Sequence, residues 1–168
     1  GGGMPIDLSN CLKNANNIPN NDDIVYKCKI QYNLTGNVQV GFEPYRIKTI
    51  ITASIHEMGS HDYQHKYTNR NWINNILLNA GTDEIILTQN GIIKDANYAN
   101  LVFFDGNQWI TPLHPLLLGT RRDSLLKEGV IKEAEIHLQD LNKFKAVKFM
   151  NAMMLWEESP MLNLTNIV

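Results

Sequence analysis

The sequence predicts an α+β fold, in which short strands follow one another and a few helices interrupt them. Polar and apolar residues alternate in several short stretches, whereas other segments place apolar residues at helical spacing. Strands that follow each other without a helix between each pair argue against repeating βαβ units. With 168 residues, of which 43% are hydrophobic, the chain can bury one core or two small lobes.

The N-terminal part is predicted to be a loose lead-in over residues 1–22, because asparagine is abundant there. Alternating residues in 24–32 and 38–42 predict a hairpin. Residues 47–55 form a third, more apolar predicted strand. We assign these strands to a small lobe over residues 23–56.

Residues 57–168 are predicted to form the larger domain, which begins with a helix capped by Thr68 or Asn69 and ended by Gly81. A second helix is predicted over residues 119–129, with Thr120 and Asp123 at capping-box spacing. Strands are predicted at 84–87, 92–95, 101–104, 109–111, 131–136 and 147–150, with a short helix at 138–145.

Composition restricts the partners of the protein. The net charge of -2 gives no strong field for nucleic acid or an anionic membrane, so we expect neither as a partner. No window approaches the apolar length of a membrane span, and the first residues do not resemble a signal peptide. We therefore expect a cytoplasmic protein.

Three sequence features can carry chemistry. Gly119 and Thr120 open a helix whose backbone N–H groups suit a phosphate, and the charges of Arg121 and Arg122 add to this. Lys66 precedes the first long helix and has Arg70 four residues on; a lysine beside another cation in a dry pocket can react with a carbonyl. Asp95 ends an apolar strand, where a carboxylate must be paired or turned to water, and water is the usual outcome. A lysine at a helix start is likewise usually a solvated surface residue.

A metal site is an alternative, because His61 and His65 are four residues apart with Asp62 between them, which is a zinc-ligand spacing on a helix. A third ligand would have to be His56, Glu57 or a distant residue. The stretch lacks the apolar periodicity of a buried helix, so a metal-dependent hydrolase is the less favoured interpretation.

Several blocks in one order carry a more specific signal. They are Lys66-Tyr67-Thr68-Asn69-Arg70, Asp83-Glu84-Ile85-Ile86-Leu87, Gly91-Ile92-Ile93-Lys94-Asp95, Ala99-Asn100-Leu101, Thr111-Pro112, Pro115 through Arg122, and Met150-Asn151-Ala152-Met153. Together they resemble the class IV aminotransferase family, the fold type IV pyridoxal-phosphate enzymes. The first and last blocks look most like the 4-amino-4-deoxychorismate lyase branch.

The resemblance implies a site for pyridoxal 5'-phosphate (PLP). Lys66 matches the lysine that reacts with the cofactor and then shuttles the proton, and Asp95 matches the acid that pairs with the pyridine nitrogen, where the family more often has Glu. Arg70 belongs to the same cofactor site. Gly119, Thr120 and Arg121 match the helix start that holds the phosphate, and Asn151-Ala152 matches a second loop near it.

The resemblance also implies a fold type IV pseudo-barrel with flanking helices, a small-molecule amino substrate and a homodimer. The reaction is either a lyase reaction that releases pyruvate and forms 4-aminobenzoate, or amino-acid transamination. Relatives are usually longer, so residues 23–56 are expected to be the remnant of their N-terminal lobe, in a shortened natural member or an incomplete gene product. A catalytically silent relative that serves as a structural or binding module is the other interpretation.

Overall fold

Strand pairing divides the chain into two compact units, Gly1–Arg46 and Ile47–Val168. The computed structural model describes residues 7–33, 35–61, 63 and 66–168. Among these residues, no helix has both the length and the apolar content that crossing a membrane requires.

The first unit contains a short helix, α1 (Leu8–Lys13), within the segment for which composition predicts a loose lead-in. The helix begins after Asp7, whose carboxylate accepts a hydrogen bond from the backbone N–H of Asn10 at 3.0 Å. Such a capping bond satisfies one of the free N–H groups of a first turn. The structure therefore differs from the predicted lead-in at these six residues.

A hairpin completes the first unit. Its strands are β1 (Tyr26–Tyr32) and β2 (Val38–Pro44), which pair antiparallel from Tyr26 opposite Pro44 to Tyr32 opposite Val38. The alternating pattern of the sequence predicts this hairpin, and the structure has it.

The described residues of the second unit form two sheets and two α-helices. The elements are β3 (Ala53–Glu57), α2 (Asn71–Ala80), β4 (Glu84–Gln89), β5 (Ile92–Ala96), β6 (Asn100–Phe104), β7 (Trp109–Pro112), α3 (Thr120–Lys127), β8 (Lys132–Ala134), β9 (Ala146–Met150) and β10 (Met161–Asn163), with 3-10 helices at Leu138–Lys143 and Leu164–Asn166. One sheet has the order β3-β4-β5 and the other β10-β9-β6-β7-β8. This mixture of strand runs and separate helices confirms the predicted α+β class.

The boundary between the units lies ten residues before the one drawn from the sequence between 56 and 57. The cause is β3, which pairs in parallel with β4, so that Ala53 lies opposite Glu84. The predicted strand over 47–55 is shorter at its start, because the N–H groups of Ile51 and Thr52 donate to the carboxylate of Asp83 at 2.8 and 2.9 Å.

The core of the second unit lies on both faces of β4. Ile86 packs in one cluster with residues of β5, β6 and β9, including Phe103 and Phe149. Ile85 and Leu87 point to the opposite face, where they pack with residues of α2. Successive side chains of a strand alternate between faces, so a continuous apolar run such as this one fits a strand that is buried on both sides.

Candidate active site

Asp95 lies at the buried end of β5 and accepts three hydrogen bonds. Its Oδ1 accepts from the side-chain amide of Asn100 at 2.8 Å. Its Oδ2 accepts from the backbone N–H groups of Leu116 at 2.8 Å and Leu117 at 3.1 Å. Burial raises the pKa of Asp95 to about 7, although these three hydrogen bonds act in the opposite direction. The carboxylate is therefore paired rather than turned to water.

Asn100 is the second buried polar residue of the site, and sequence reasoning did not assign it a role. Besides Asp95, its amide donates to the backbone carbonyl of Leu117 at 2.8 Å. Its carbonyl oxygen lies only 2.0 Å from the point that a Cβ at position 119 would occupy. The sequence did contain a signal for such a role: Asn100 directly precedes the apolar run 101–104, and a polar side chain that is buried there needs a hydrogen-bond partner.

The start of α3 is where the phosphate is predicted. Gly119 precedes the helix in an extended conformation (φ -67°), and no side-chain cap bonds to its N–H groups. The predicted capping box is therefore wrong: Asp123 pairs instead with Lys127 at 2.7 Å. Thr120 is exposed and Arg121 is half-buried.

The two neighbouring arginines of α3 differ in their surroundings. Arg122 is only 4% exposed. Its guanidinium donates to the carbonyl of Pro112 at 2.9 Å and to the Glu133 carboxylate at 2.8 Å. In both Arg121 and Arg122, the buried Nε has no hydrogen-bond partner in the described part of the chain. Arg122 serves the fold through its Nη2, and the unpaired Nε is a property that it shares with Arg121.

Arg70 ties the start of α2 to the turn that separates Asp95 from Asn100. Its guanidinium donates to the backbone carbonyl of Asn97 and, at 2.8 Å, to the side-chain oxygen of the same residue. It also lies 5.8 Å from the ring of Tyr63. Burial raises the pKa of Tyr63, Arg70 opposes that shift, and Asp95 adds to it. The charges of both predicted site residues therefore influence the pKa of Tyr63.

The remaining predicted residues lie at two places. Lys66 is exposed and lies four residues before Arg70. Asn151 and the exposed Ala152 directly follow Met150, which is opposite Asn100 in the pairing of β6 with β9. The second predicted phosphate loop thus begins beside Asn100.

The predicted metal site falls partly on His65 and Asp62, which lie outside the described residues. The ring of His61 stacks on Trp72, with 4.6 Å between ring centroids. In the part of the chain that the structure describes, no group of three or more His, Cys, Asp and Glu residues could hold a metal ion.

Three comparisons with known proteins show the family and the fold of the chain. The family model for amino-transferase class IV matches residues 35–157. An uncharacterized protein from Haemophilus influenzae is 38% identical over 128 residues, which span 76% of this chain and 68% of that protein.

Two crystal structures resemble the chain as well. A proposed 4-amino-4-deoxychorismate lyase from Haemophilus somnus 129pt has a TM-score of 0.80 and 31% identity, covering 91% of this chain and 79% of that one. A proposed amino-acid aminotransferase from Mesorhizobium loti has a TM-score of 0.73, covering 96% and 78%. At 22% identity, the second likeness shows the fold alone.

These likenesses confirm the fold type IV architecture that the sequence blocks imply. The family match extends over most of the chain, including Lys66, Asp95 and the start of α3. The chain therefore belongs to the class IV aminotransferase family.

Proposed function

We propose that the protein is a PLP-dependent enzyme of the 4-amino-4-deoxychorismate lyase type, which releases pyruvate and forms 4-aminobenzoate. The observation that carries the proposal is the connection of Asp95, through Asn100, to the start of α3. One hydrogen-bond network thereby links the acid for the ring nitrogen to the helix start for the phosphate.

The residues fit the ring of the cofactor. A carboxylate has about four acceptor positions. Three of those on Asp95 are used by Asn100, Leu116 and Leu117, which leaves one on Oδ1. That position can accept the N–H of a protonated pyridine ring. A cation placed there favours the ionised form of the acid and offsets the effect of burial.

The residues also fit the phosphate. The backbone N–H groups after Gly119 have no side-chain cap, and the buried Nε of Arg121 has no hydrogen-bond partner among the described residues. A helix start and a guanidinium are both favourable for an anion. Asn151 and Ala152 would contribute backbone contacts from the end of β9.

Lys66 supplies the reactive amine in this proposal. Its exposure leaves the side chain accessible to a cofactor aldehyde and an amino substrate. When bound, PLP supplies a ring that withdraws electrons from the substrate Cα. The amine of Lys66 would remove the Cα proton and pass it to the enolpyruvate that leaves as its bond to the neighbouring carbon breaks, while Asp95 would hold the proton on the ring nitrogen. Arg70, fixed by Asn97, places its charge at the edge of the same site.

The lyase reaction is preferred over transamination because the relative with 31% identity from Haemophilus somnus is proposed to be such a lyase. The first and last sequence blocks point to the same branch. Amino-acid transamination uses the same lysine and acid, so it remains the alternative reaction.

A silent family member is the second candidate function. The observation that favours it is the low exposure of Asp95, only 4%, together with the three hydrogen bonds that it accepts from Asn100, Leu116 and Leu117. In that case the acid holds the fold together and the protein serves as a structural or binding module.

Absorbance spectroscopy and mass spectrometry separate these functions. We expect incubation with PLP to give a visible absorbance band and, after borohydride reduction, a stable cofactor adduct at Lys66. Lys66→Ala should lose both signals, whereas Lys132→Ala, at an exposed lysine on β8, should keep them. A colourless wild-type protein would contradict the proposal and favour the silent module.

The reaction itself is then assigned by product. Pyruvate from 4-amino-4-deoxychorismate identifies the lyase. Formation of a keto acid from D-alanine or branched-chain amino acids identifies the transaminase and would contradict the lyase assignment.

A further inference from the structure

We propose that Asn100 is a positioning residue for the PLP phosphate: it fixes the segment 116–119 and thereby sets the place where α3 begins. The proposal rests on the proposed function, because it assumes that the start of α3 receives the phosphate. Asn100 is absent from the residues that the family resemblance assigns to the site.

The side-chain amide of Asn100 has a determined orientation. An amide nitrogen carries two N–H donors, and both are used, one by Asp95 Oδ1 and one by the carbonyl of Leu117, each at 2.8 Å. The reversed orientation would place the amide oxygen against the Asp95 carboxylate and the Leu117 carbonyl, which are both acceptors. With 7% exposure, the side chain has almost no solvent to replace these partners.

The oxygen of the same amide faces Gly119. A Cβ there would lie 2.0 Å from this oxygen and 3.2 Å from the amide carbon, far inside contact distance. The φ of Gly119 is -67°, which any residue can adopt. Glycine is therefore required at the helix start by the approach of Asn100, and not by its own backbone conformation.

Asn100 connects parts of the site that Asp95 does not reach alone. Asp95 bonds to Leu116 and Leu117, whereas Asn100 also contacts Gly119, the residue before the helix. Asn100 is also paired with Met150, after which the Asn151-Ala152 loop begins. One side chain thus relates the ring acid, the helix start and the second loop to each other.

The test compares the affinities of the protein for PLP and for pyridoxal, which lacks the phosphate, measured by fluorescence titration. We expect wild-type protein to bind PLP more tightly. Asn100→Ala removes the bonds to Asp95 and to Leu117; loss of the bond to Leu117 should weaken PLP binding about tenfold, and pyridoxal binding should weaken less. Equal weakening of both ligands would mean that Asn100 acts only through Asp95 and would overturn the proposal, as would no change in either.

Thr111→Val is the matched control, because it also removes a side-chain hydrogen bond to a backbone carbonyl, the buried bond to Leu101 at 2.8 Å. It should lower stability without changing the ratio of the PLP and pyridoxal affinities. A change in that ratio as large as that of Asn100→Ala would reduce the Asn100 effect to general loss of stability and overturn the proposal.

Gly119→Ala provides a second variant that retains the amide of Asn100. It should also weaken PLP binding selectively, and the double variant should bind PLP no more weakly than Asn100→Ala, because the shortened side chain makes room for the new methyl group. If the double variant instead weakens PLP binding by the product of the two single-variant fold-changes, the two residues act independently and the proposal is overturned.

Inorganic phosphate distinguishes failure of this inference from failure of the proposed function. If wild-type protein binds neither PLP nor pyridoxal, the proposed function is wrong. Thermal stabilisation by phosphate that is present in the wild type and Thr111→Val and lost in Asn100→Ala would still support the positioning role. Absence of phosphate stabilisation in the wild type would overturn it.

Discussion

Asp83 and Asp95 make the same contact in two regions of the second unit, but with opposite consequences for their charge. One oxygen of each carboxylate accepts from two consecutive backbone N–H groups that are distant in sequence: Ile51 and Thr52 for Asp83, and Leu116 and Leu117 for Asp95. The hydrogen bonds hold the pKa of Asp83 below its ordinary value. Burial instead raises the pKa of Asp95 to about 7.

The difference shows that hydrogen bonding alone does not determine the charge of a carboxylate. Asp83 is half-buried next to Lys48, so its ionised form is stabilised by donors, a cation and nearby water. Asp95 is enclosed, so its charge depends on what is placed against its remaining acceptor position. Asp83 is therefore suited to holding two segments together, and Asp95 to responding to a cationic ligand.

The largest expected effect separates these two roles. Asp95→Ala should weaken PLP binding by about 10- to 100-fold, as expected for loss of a hydrogen bond between charged groups. It should also lower the free energy of unfolding by about 1–3 kcal/mol, since Asn100, Leu116 and Leu117 lose their acceptor. Asp83→Ala, the matched control, should leave PLP affinity unchanged. An equal change of PLP affinity in both variants, measured by titration, would contradict the assignment of PLP binding to Asp95 and of a structural role to Asp83.

The pH dependence of stability should separate the two residues next. Because the folded pKa of Asp95 lies above its ordinary value of 3.8, its contribution to stability is complete below about pH 4 and is lost as the pH rises towards 7. The pKa of Asp83 is lowered, so its contribution is present above about pH 4 and is lost in stronger acid.

Urea unfolding of the protein without cofactor, repeated across this pH range, measures both windows. We expect Asp95→Asn to flatten the change between about pH 4 and 7 and Asp83→Asn to flatten only the acid limb. If the free energy of unfolding of Asp95→Asn changes with pH as steeply as that of the wild type between these values, a group other than Asp95 causes the change.

The smallest effect concerns the hydroxyl of Thr52, which lies 3.2 Å from Asp83 Oδ2 and adds to the two backbone bonds. Thr52→Val keeps the shape of the side chain and removes this long bond, together with the bond that the hydroxyl oxygen accepts from the backbone N–H of Asp83 at 3.3 Å. We expect a decrease of about 2 °C in Tm. Asp83 should keep its lowered pKa, measured by NMR titration, because Ile51 N–H and Thr52 N–H remain. A pKa returned to its ordinary value would show that the hydroxyl matters more than the backbone donors.

The parts of the fold that are encoded locally could be predicted from the sequence. The helical spacing from Trp72 to Ala80 and the following glycine predict α2, which ends at Gly81 in the left-handed conformation. The alternating residues of β1 and β2 predict their hairpin. Both depend on residues close in sequence, for which apolar periodicity and turn chemistry are informative.

Contacts between distant residues explain what could not be predicted. The N–H groups of Leu116 and Leu117 lie 21 and 22 residues after Asp95, so no local pattern indicates its partners. The close approach of Asn100 to Gly119 depends on the same tertiary contact. The candidate cofactor residues were named by resemblance, and physical reasoning from single positions favoured solvent for both Lys66 and Asp95.

The anchoring of residues 51 and 52 to Asp83 has a consequence for the alignment of β3 on β4. Ile85, Ile86 and Leu87 are all aliphatic and fully buried, so sliding by one position would exchange similar side chains between the two faces and incur little penalty from hydrophobicity. The contact with Asp83 lies immediately before Ala53 and Glu84, the first aligned pair. The hydrogen bonds to this carboxylate thus fix the register of β3 on β4, which the apolar core alone does not determine.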